Sequence, residues 1–115
     1  MARTKDKTTL KKASTHDITT PLLDAMFEEF KELAKKKPEA AVSKSKLVIA
    51  NRLLQRVREA LADEESIEFL DLLNEDDVPQ VSDVTLILSQ YVAAMTAFKA
   101  KYHGWNGEDH VWFLK

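Results

Sequence analysis

Residues 84–102, VTLILSQYVAAMTAFKAKY, decide the fold of this chain. Large apolar side chains recur there at alternating spacings of four and three residues, at Val84, Leu88, Tyr91, Met95, Phe98 and Tyr102. This spacing places them on one face of an α-helix. Ser82 is a suitable N-cap before the stretch, and Gly104 stands where a helix C-terminal glycine belongs. The sequence therefore predicts a helix of about 21 residues, roughly 30 Å long.

Two further long helices are predicted upstream. The first begins near Thr20, with Pro21 at the first helical position, where a missing N–H costs nothing, and Pro38 ends it. The second begins after Ser43 and runs to about residue 62. Its apolar side chains again recur every three or four residues, at Leu47, Ala50, Leu54, Val57 and Leu61.

A short helix is predicted over residues 64–73, before the polar segment 74–77. No amphipathic helix buries its apolar face alone, so the elements must pack together. The sequence predicts a small all-α bundle of three long helices and one short helix. Its core is expected to contain Leu23, Phe27, Phe30, Leu47, Leu54, Val57, Leu61, Leu70, Val84, Leu88, Tyr91, Met95 and Phe98.

The chain of 115 residues has the length of one domain. Residues 1–16 are rich in Lys, Thr and Ser and carry little apolar surface, so they are expected to form a disordered basic tail. Residues 17–104 form the predicted bundle. Residues 105–115 form an aromatic C-terminal tail that packs on the bundle or on a partner.

The sequence lacks residues that several classes of functional site require. The chain has no cysteine, and its two glycines both lie near the C-terminus, which leaves no thiolate site and no glycine-rich phosphate loop. His103, Glu108, Asp109 and His110 do not have the spacing of a helical metal motif. We therefore expect no catalytic residues, no metal and no cofactor. Charges interrupt the apolar runs, which predicts no membrane segment and a cytoplasmic location.

The charge of the chain is strongly polarised, although the net charge is only −2. Residues 1–58 contain 14 Lys/Arg against 7 Asp/Glu, whereas residues 59–115 contain 3 against 12. Either the basic helices pack against the acidic part of the chain, or the basic half binds nucleic acid. The second interpretation would use Lys35, Lys36, Lys37, Lys44, Lys46, Arg52, Arg56 and Arg58.

The aromatic tail is the other candidate site. It contains Trp105, Trp112, Phe113 and Leu114 within the last eleven residues. These side chains either cover the open end of the bundle or form an exposed patch that anchors a partner. The leading hypothesis from sequence is a non-catalytic protein-interaction or regulatory module that binds a protein partner or a second copy of itself. Nucleic-acid binding through the basic face is the alternative.

Overall fold

The computed structural model describes residues 6–115. It contains three α-helices, α1 (Leu10–Lys36), α2 (Lys44–Ala60) and α3 (Val81–Tyr102). A 3₁₀ helix (Glu65–Phe69) lies between α2 and α3, and two strands, β1 (His103–Trp105) and β2 (His110–Trp112), follow α3. Helix α1 packs against both other helices, and the molecule measures 52 × 24 × 22 Å. The helical prediction is confirmed, but the C-terminal residues add a small antiparallel sheet that an all-α fold does not have.

Helix α3 lies where the sequence predicts it, although its two ends differ. It begins at Val81, one residue before the predicted cap, because Gln80 and Asp83 form a capping box. The Asp83 carboxylate accepts a hydrogen bond from the backbone N–H of Gln80 at 3.0 Å. At the other end the chain turns directly into β1, so Gly104 lies in a strand and does not cap the helix.

Helix α1 begins ten residues before the predicted start, and the prediction of disorder is wrong for residues 10–16. Thr9 caps the helix by accepting a hydrogen bond from the backbone N–H of Lys12. Ala13 and His16 are buried, so tertiary packing holds this first part of the helix. Pro21 lies in the interior of α1, which gives up one backbone hydrogen bond there. Residues 1–5 of the predicted tail lie outside the described residues.

Helix α2 confirms the predicted N-cap, since the Ser43 side chain accepts a hydrogen bond from the backbone N–H of Lys46. The predicted helix over residues 64–73 is only a 3₁₀ helix of five residues. The segment that follows bonds to α2 instead of to itself. Asn51 accepts from the Leu73 N–H at 2.8 Å and donates to the Leu73 carbonyl at 2.7 Å. These side-chain contacts replace the backbone bonds that would continue a helix.

The core matches the prediction closely. Eleven of the thirteen predicted residues are buried, while Phe27 and Phe30 are half-buried and pack against the buried set. The Tyr91 hydroxyl is satisfied by donating to the Asp71 carbonyl at 2.8 Å. Burial raises the pKa of this hydroxyl to about 12. Tyr91 thus ties α3 to the segment after the 3₁₀ helix.

We expect Tyr91→Phe to lower the free energy of unfolding by about 1 kcal/mol, because it removes one hydrogen bond and leaves the ring in place. Urea denaturation followed by far-ultraviolet circular dichroism measures the change. An unchanged denaturation midpoint would show that the hydroxyl contributes nothing to stability.

Helix α3 is also long and apolar enough to cross a membrane, with a mean hydropathy of 1.3 over its most apolar stretch. No membrane segment is predicted from the sequence, so this length and hydropathy of α3 are unexpected. A core helix has the same length and composition, and α3 supplies Val84, Leu88, Met95 and Phe98 to the buried set. Length and hydropathy alone therefore do not assign α3 to a membrane.

Candidate functional site

The C-terminal tail folds as a β-hairpin. Its strands pair His103 with Trp112, Gly104 with Val111 and Trp105 with His110. In the turn, the Asn106 side-chain carbonyl accepts hydrogen bonds from two backbone N–H groups, each at 2.8 Å. Gly107 has a φ of 105°, which favours glycine. The aromatic residues are thus held on a defined scaffold.

The hairpin separates the four predicted partner-binding residues into two pairs. Trp112 is half-buried, and its ring lies 5.0 Å from that of His16 and 5.8 Å from that of Phe98. Phe113 is also half-buried, whereas Trp105 and Leu114 are exposed, by 59% and 38%. Trp112 packs against the core and Phe113 is partly shielded, whereas Trp105 and Leu114 remain on the surface.

Backbone hydrogen bonds attach the end of the chain to the residues before α1. The N–H of Thr8 donates to the Phe113 carbonyl, and the N–H of Lys115 donates to the Thr8 carbonyl, both at 2.9 Å. The Trp112 indole N–H donates to the Asp17 carboxylate at 3.1 Å. The hairpin therefore covers the first turns of α1, and this contact explains why that part of the helix is ordered.

His16 is the buried polar residue at the centre of this contact. Its ring lies 5.6 Å from the Phe98 ring in a stacked arrangement, and its Nε2 atom lies 2.9 Å from the Met95 carbonyl. A carbonyl only accepts, so Nε2 carries the proton and donates it. Burial lowers the pKa of His16, although the Met95 carbonyl and Asp17 act in the opposite direction. His16 cannot be recognised as a core residue from the sequence, because it lies within the stretch 1–16 that is predicted to be disordered.

All three histidines of the chain line one open cavity of about 520 Å³ between α1, α3 and the hairpin. We call it the histidine cavity. His16 comes from α1, and His103 and His110 from the two strands, where their rings are nearly parallel with centroids 6.5 Å apart. Desolvation together with the charge of Lys99 lowers the pKa of His103. Among residues 6–115, no group of three histidines or carboxylates is arranged to hold a metal ion.

Four of the eight predicted basic residues have partners within the protein. Lys35 pairs with Glu32, Lys44 with Asp76 and Arg56 with Glu59. Arg58 donates to the Leu70 carbonyl and has a structural role. Within residues 6–115 no ion pair forms at the remaining predicted basic side chains, which are Lys36, Lys37, Lys46 and Arg52.

An apolar groove runs along the surface between α1 and α2. Ile18, Leu22 and Met26 form one wall, and Ile49 and Leu53 form the other. Two adjoining hollows of about 430 and 350 Å³ share Leu22, Met26 and Ile49, so the groove is continuous. Ile18, Leu22 and Ile49 are exposed by 67%, 56% and 53%. We call this surface the apolar groove.

The edge of the apolar groove along α2 is basic. Lys46 lies at one end, and Arg52 and Arg56 lie at the other. Glu29 of α1 is the acidic residue on the lining. The groove thus combines exposed apolar side chains with positive charge on one side.

Comparisons with known proteins give no assignment. No family model, no characterised protein and no solved structure matches this chain.

The sequence contained a weak signal for the apolar groove. Leu22 and Met26 widen the apolar stripe of α1, and Ile49 and Leu53 lie beside that of α2. Apolar residues beside a core stripe are expected in either of two cases: the helix has a wider buried face, or it lines a groove at the surface. The structure distinguishes these cases because it shows how far α1 and α2 leave the residues exposed.

Proposed function

We propose that this chain is a non-catalytic protein-interaction module whose apolar groove receives an acidic amphipathic helix of a partner protein. The observation that carries the proposal is the continuous row of exposed aliphatic side chains, Ile18, Leu22 and Ile49, along the two helices. An exposed apolar patch with a polar border is typical of an interaction site.

The shape of the groove favours a helix. A helical partner inserts apolar side chains at positions i, i+3, i+4 and i+7 into a groove of this kind. The lining of the groove offers matching aliphatic surface on both walls, with Phe30 and Leu33 continuing it beyond Met26. Met26 supports the same use, because methionine side chains adapt to varied apolar partners.

The charge of the border favours an acidic occupant. Lys46 and Arg52 are exposed and have no ion pair among residues 6–115, so their charges are free for a partner's carboxylates. Complementary charges at the rim of an interface increase the association rate and select among partners. A second copy of this chain would bring the same basic border, so like charges would oppose self-association through an α2-to-α2 contact.

The test uses two synthetic 18-residue peptides that differ in charge alone. Both carry leucine at positions i, i+3, i+4 and i+7, and their polar faces carry either glutamate or lysine. We expect the glutamate peptide to bind with an affinity that falls as salt concentration rises, and the lysine peptide to bind at least tenfold more weakly. Fluorescence anisotropy of labelled peptides measures both. Equal affinity for the two peptides, or no saturable binding of either, contradicts the proposal.

Matched variants locate the binding surface. Ile49→Glu should remove binding of the glutamate peptide, since it places a carboxylate among the apolar contacts, and Arg52→Gln should weaken it. Leu86→Glu is the control, because Leu86 is similarly exposed (62% against 53% for Ile49) but lies on α3 outside the groove. A loss of binding in the control as large as in Ile49→Glu would argue against the groove.

Two other outcomes would contradict this proposal and indicate a different binding partner. A dimer in sedimentation equilibrium that Ile49→Glu converts to a monomer identifies a second copy as the occupant. Salt-dependent binding of duplex DNA that Arg52→Gln weakens and Leu22→Gln does not would favour the nucleic-acid alternative. In that case the basic residues act without the apolar groove.

A further inference from the structure

We propose that the histidine cavity binds a small zwitterionic molecule of the amino-acid class, with its ammonium group at Asp24 and its carboxylate at Lys99 and His103. This site is separate from the apolar groove, and the proposal does not depend on the proposed function. The observation that supports it is that one cavity is lined by opposite charges from two different helices and by apolar side chains as well.

The two charged residues come from different helices and so from different walls of the cavity. Asp24 lies on α1, one turn after Thr20 and two turns after His16, so that all three face the cavity. Lys99 lies on α3, one turn before His103. Both charged side chains are exposed, and neither forms an ion pair or a side-chain hydrogen bond within the described residues 6–115.

Most other charged residues of α1 and α3 form ion pairs or side-chain hydrogen bonds. Asp24 and Lys99 differ from them, because neither has such a partner among residues 6–115. On α1, Asp17 accepts from the Trp112 indole, and Glu28 pairs with Lys31. On α3, Lys101 pairs with Glu64. Asp24 and Lys99 instead line a cavity of about 520 Å³, a volume within the usual range for small-molecule sites.

The remaining lining fits a small amphiphilic ligand. Val92 and Met95 supply apolar surface between the charged walls. Desolvation lowers the pKa of His103 and the charge of Lys99 lowers it further, so Lys99 lies close enough to act on the same bound anion as this imidazole. A carboxylate placed there would accept from the Lys99 ammonium and from a ring N–H of His103. The Asp24 carboxylate would accept from the ligand's ammonium group.

The experiment uses L-leucine, L-methionine and L-phenylalanine as zwitterionic probes. Two analogues each lack one charge: 3-phenylpropionate has no ammonium group, and 2-phenylethylamine has no carboxylate. Binding is followed at pH 7 by ¹H–¹⁵N spectra of the full chain and by calorimetry. We expect at least one amino acid to bind saturably and to shift the signals of Lys99 and His103. Each single-charge analogue should bind about tenfold more weakly than phenylalanine, because one charge-assisted hydrogen-bonded contact is lost.

Substitutions test the roles of the two charged residues in binding. Asp24→Asn and Lys99→Gln should each weaken the amino acid about tenfold, whereas Glu28→Gln and Lys101→Gln, on the same helices but outside the cavity, should leave the affinity within twofold. Both test residues are exposed, so folding is expected to survive, and circular dichroism checks it. Three outcomes overturn the proposal: no saturable binding of any amino acid, equal affinity of both analogues and phenylalanine, or unchanged affinity in both cavity variants.

Discussion

Replacing Leu88 by alanine is expected to lower the free energy of unfolding by about 2–5 kcal/mol. Leu88 is fully buried on α3 and belongs to the central apolar cluster. Truncation removes favourable burial of the side chain and leaves a cavity that the surrounding helices fill only in part. Guanidinium denaturation of the variant and the parent chain measures the difference.

Leu86→Ala is the matched control for this prediction. It removes the same atoms from the same helix, but Leu86 is 62% exposed. We expect a change within about 0.5 kcal/mol, as is usual for surface substitutions. Equal destabilisation by the two substitutions would mean that the assignment of the buried face of α3 is wrong.

Acidification is expected to destabilise the protein through His16. The folded state lowers the pKa of His16 below its ordinary value of 6.5, because burial penalises the charged ring. Protonation therefore favours the unfolded state. The contribution of neutral His16 is fully present above pH 6.5 and is lost as the pH falls towards the folded-state pKa. One proton gives a slope of at most about 1.4 kcal/mol per pH unit.

Several charged groups surround His16 and contribute to the same titration. Asp17 and Asp24 lie on its own helix, and Lys99 faces it from α3. The pKa of His103 is lowered as well, so acid also destabilises the folded state through that ring. The effect of His16 must therefore be isolated by substitution and not read from the wild-type curve alone.

His16→Gln provides that isolation, because glutamine retains an N–H donor for the Met95 carbonyl but does not titrate. We expect the stability of this variant to depend less steeply on pH between 6.5 and 5 than that of the wild type. His110→Gln is the control, since His110 is exposed on β2. Parallel pH profiles of wild type and His16→Gln would show that the buried ring does not drive the acid sensitivity.

The helical core could be predicted from the sequence because long apolar stripes report burial directly. The side chains of the Val84–Phe98 stripe and of the α2 stripe are buried, as predicted. The first turns of α1 could not be predicted in this way. Ala13, His16 and Thr19 are buried there although they are small or polar, and the partners of His16 come from α3 and the hairpin. Burial of such residues depends on distant chain segments and leaves no local periodicity.

The C-terminal hairpin and the two candidate surfaces escaped prediction for related reasons. Each strand has three residues, which is too short for a period-two pattern to be recognised. The histidine cavity joins residues that are far apart in sequence, such as His16 and His110. The apolar groove depends on how closely α1 and α2 approach. Residue propensities and the spacing of apolar residues determine the helices and strands. The two candidate surfaces depend instead on how far apart those helices and strands lie in the folded chain.

The pairing of Thr8 with Leu114 has a consequence for the order of synthesis and folding. On the ribosome, α1 and α2 emerge first and can associate as a local hairpin of helices. The partners of the first turns of α1, including Met95 and Trp112, are translated much later. Contacts of such high sequence separation form slowly, because a long loop must close before they contribute. Formation of the Thr8–Leu114 pairing is therefore expected to be a late step in folding, and its rate should limit the appearance of the finished fold.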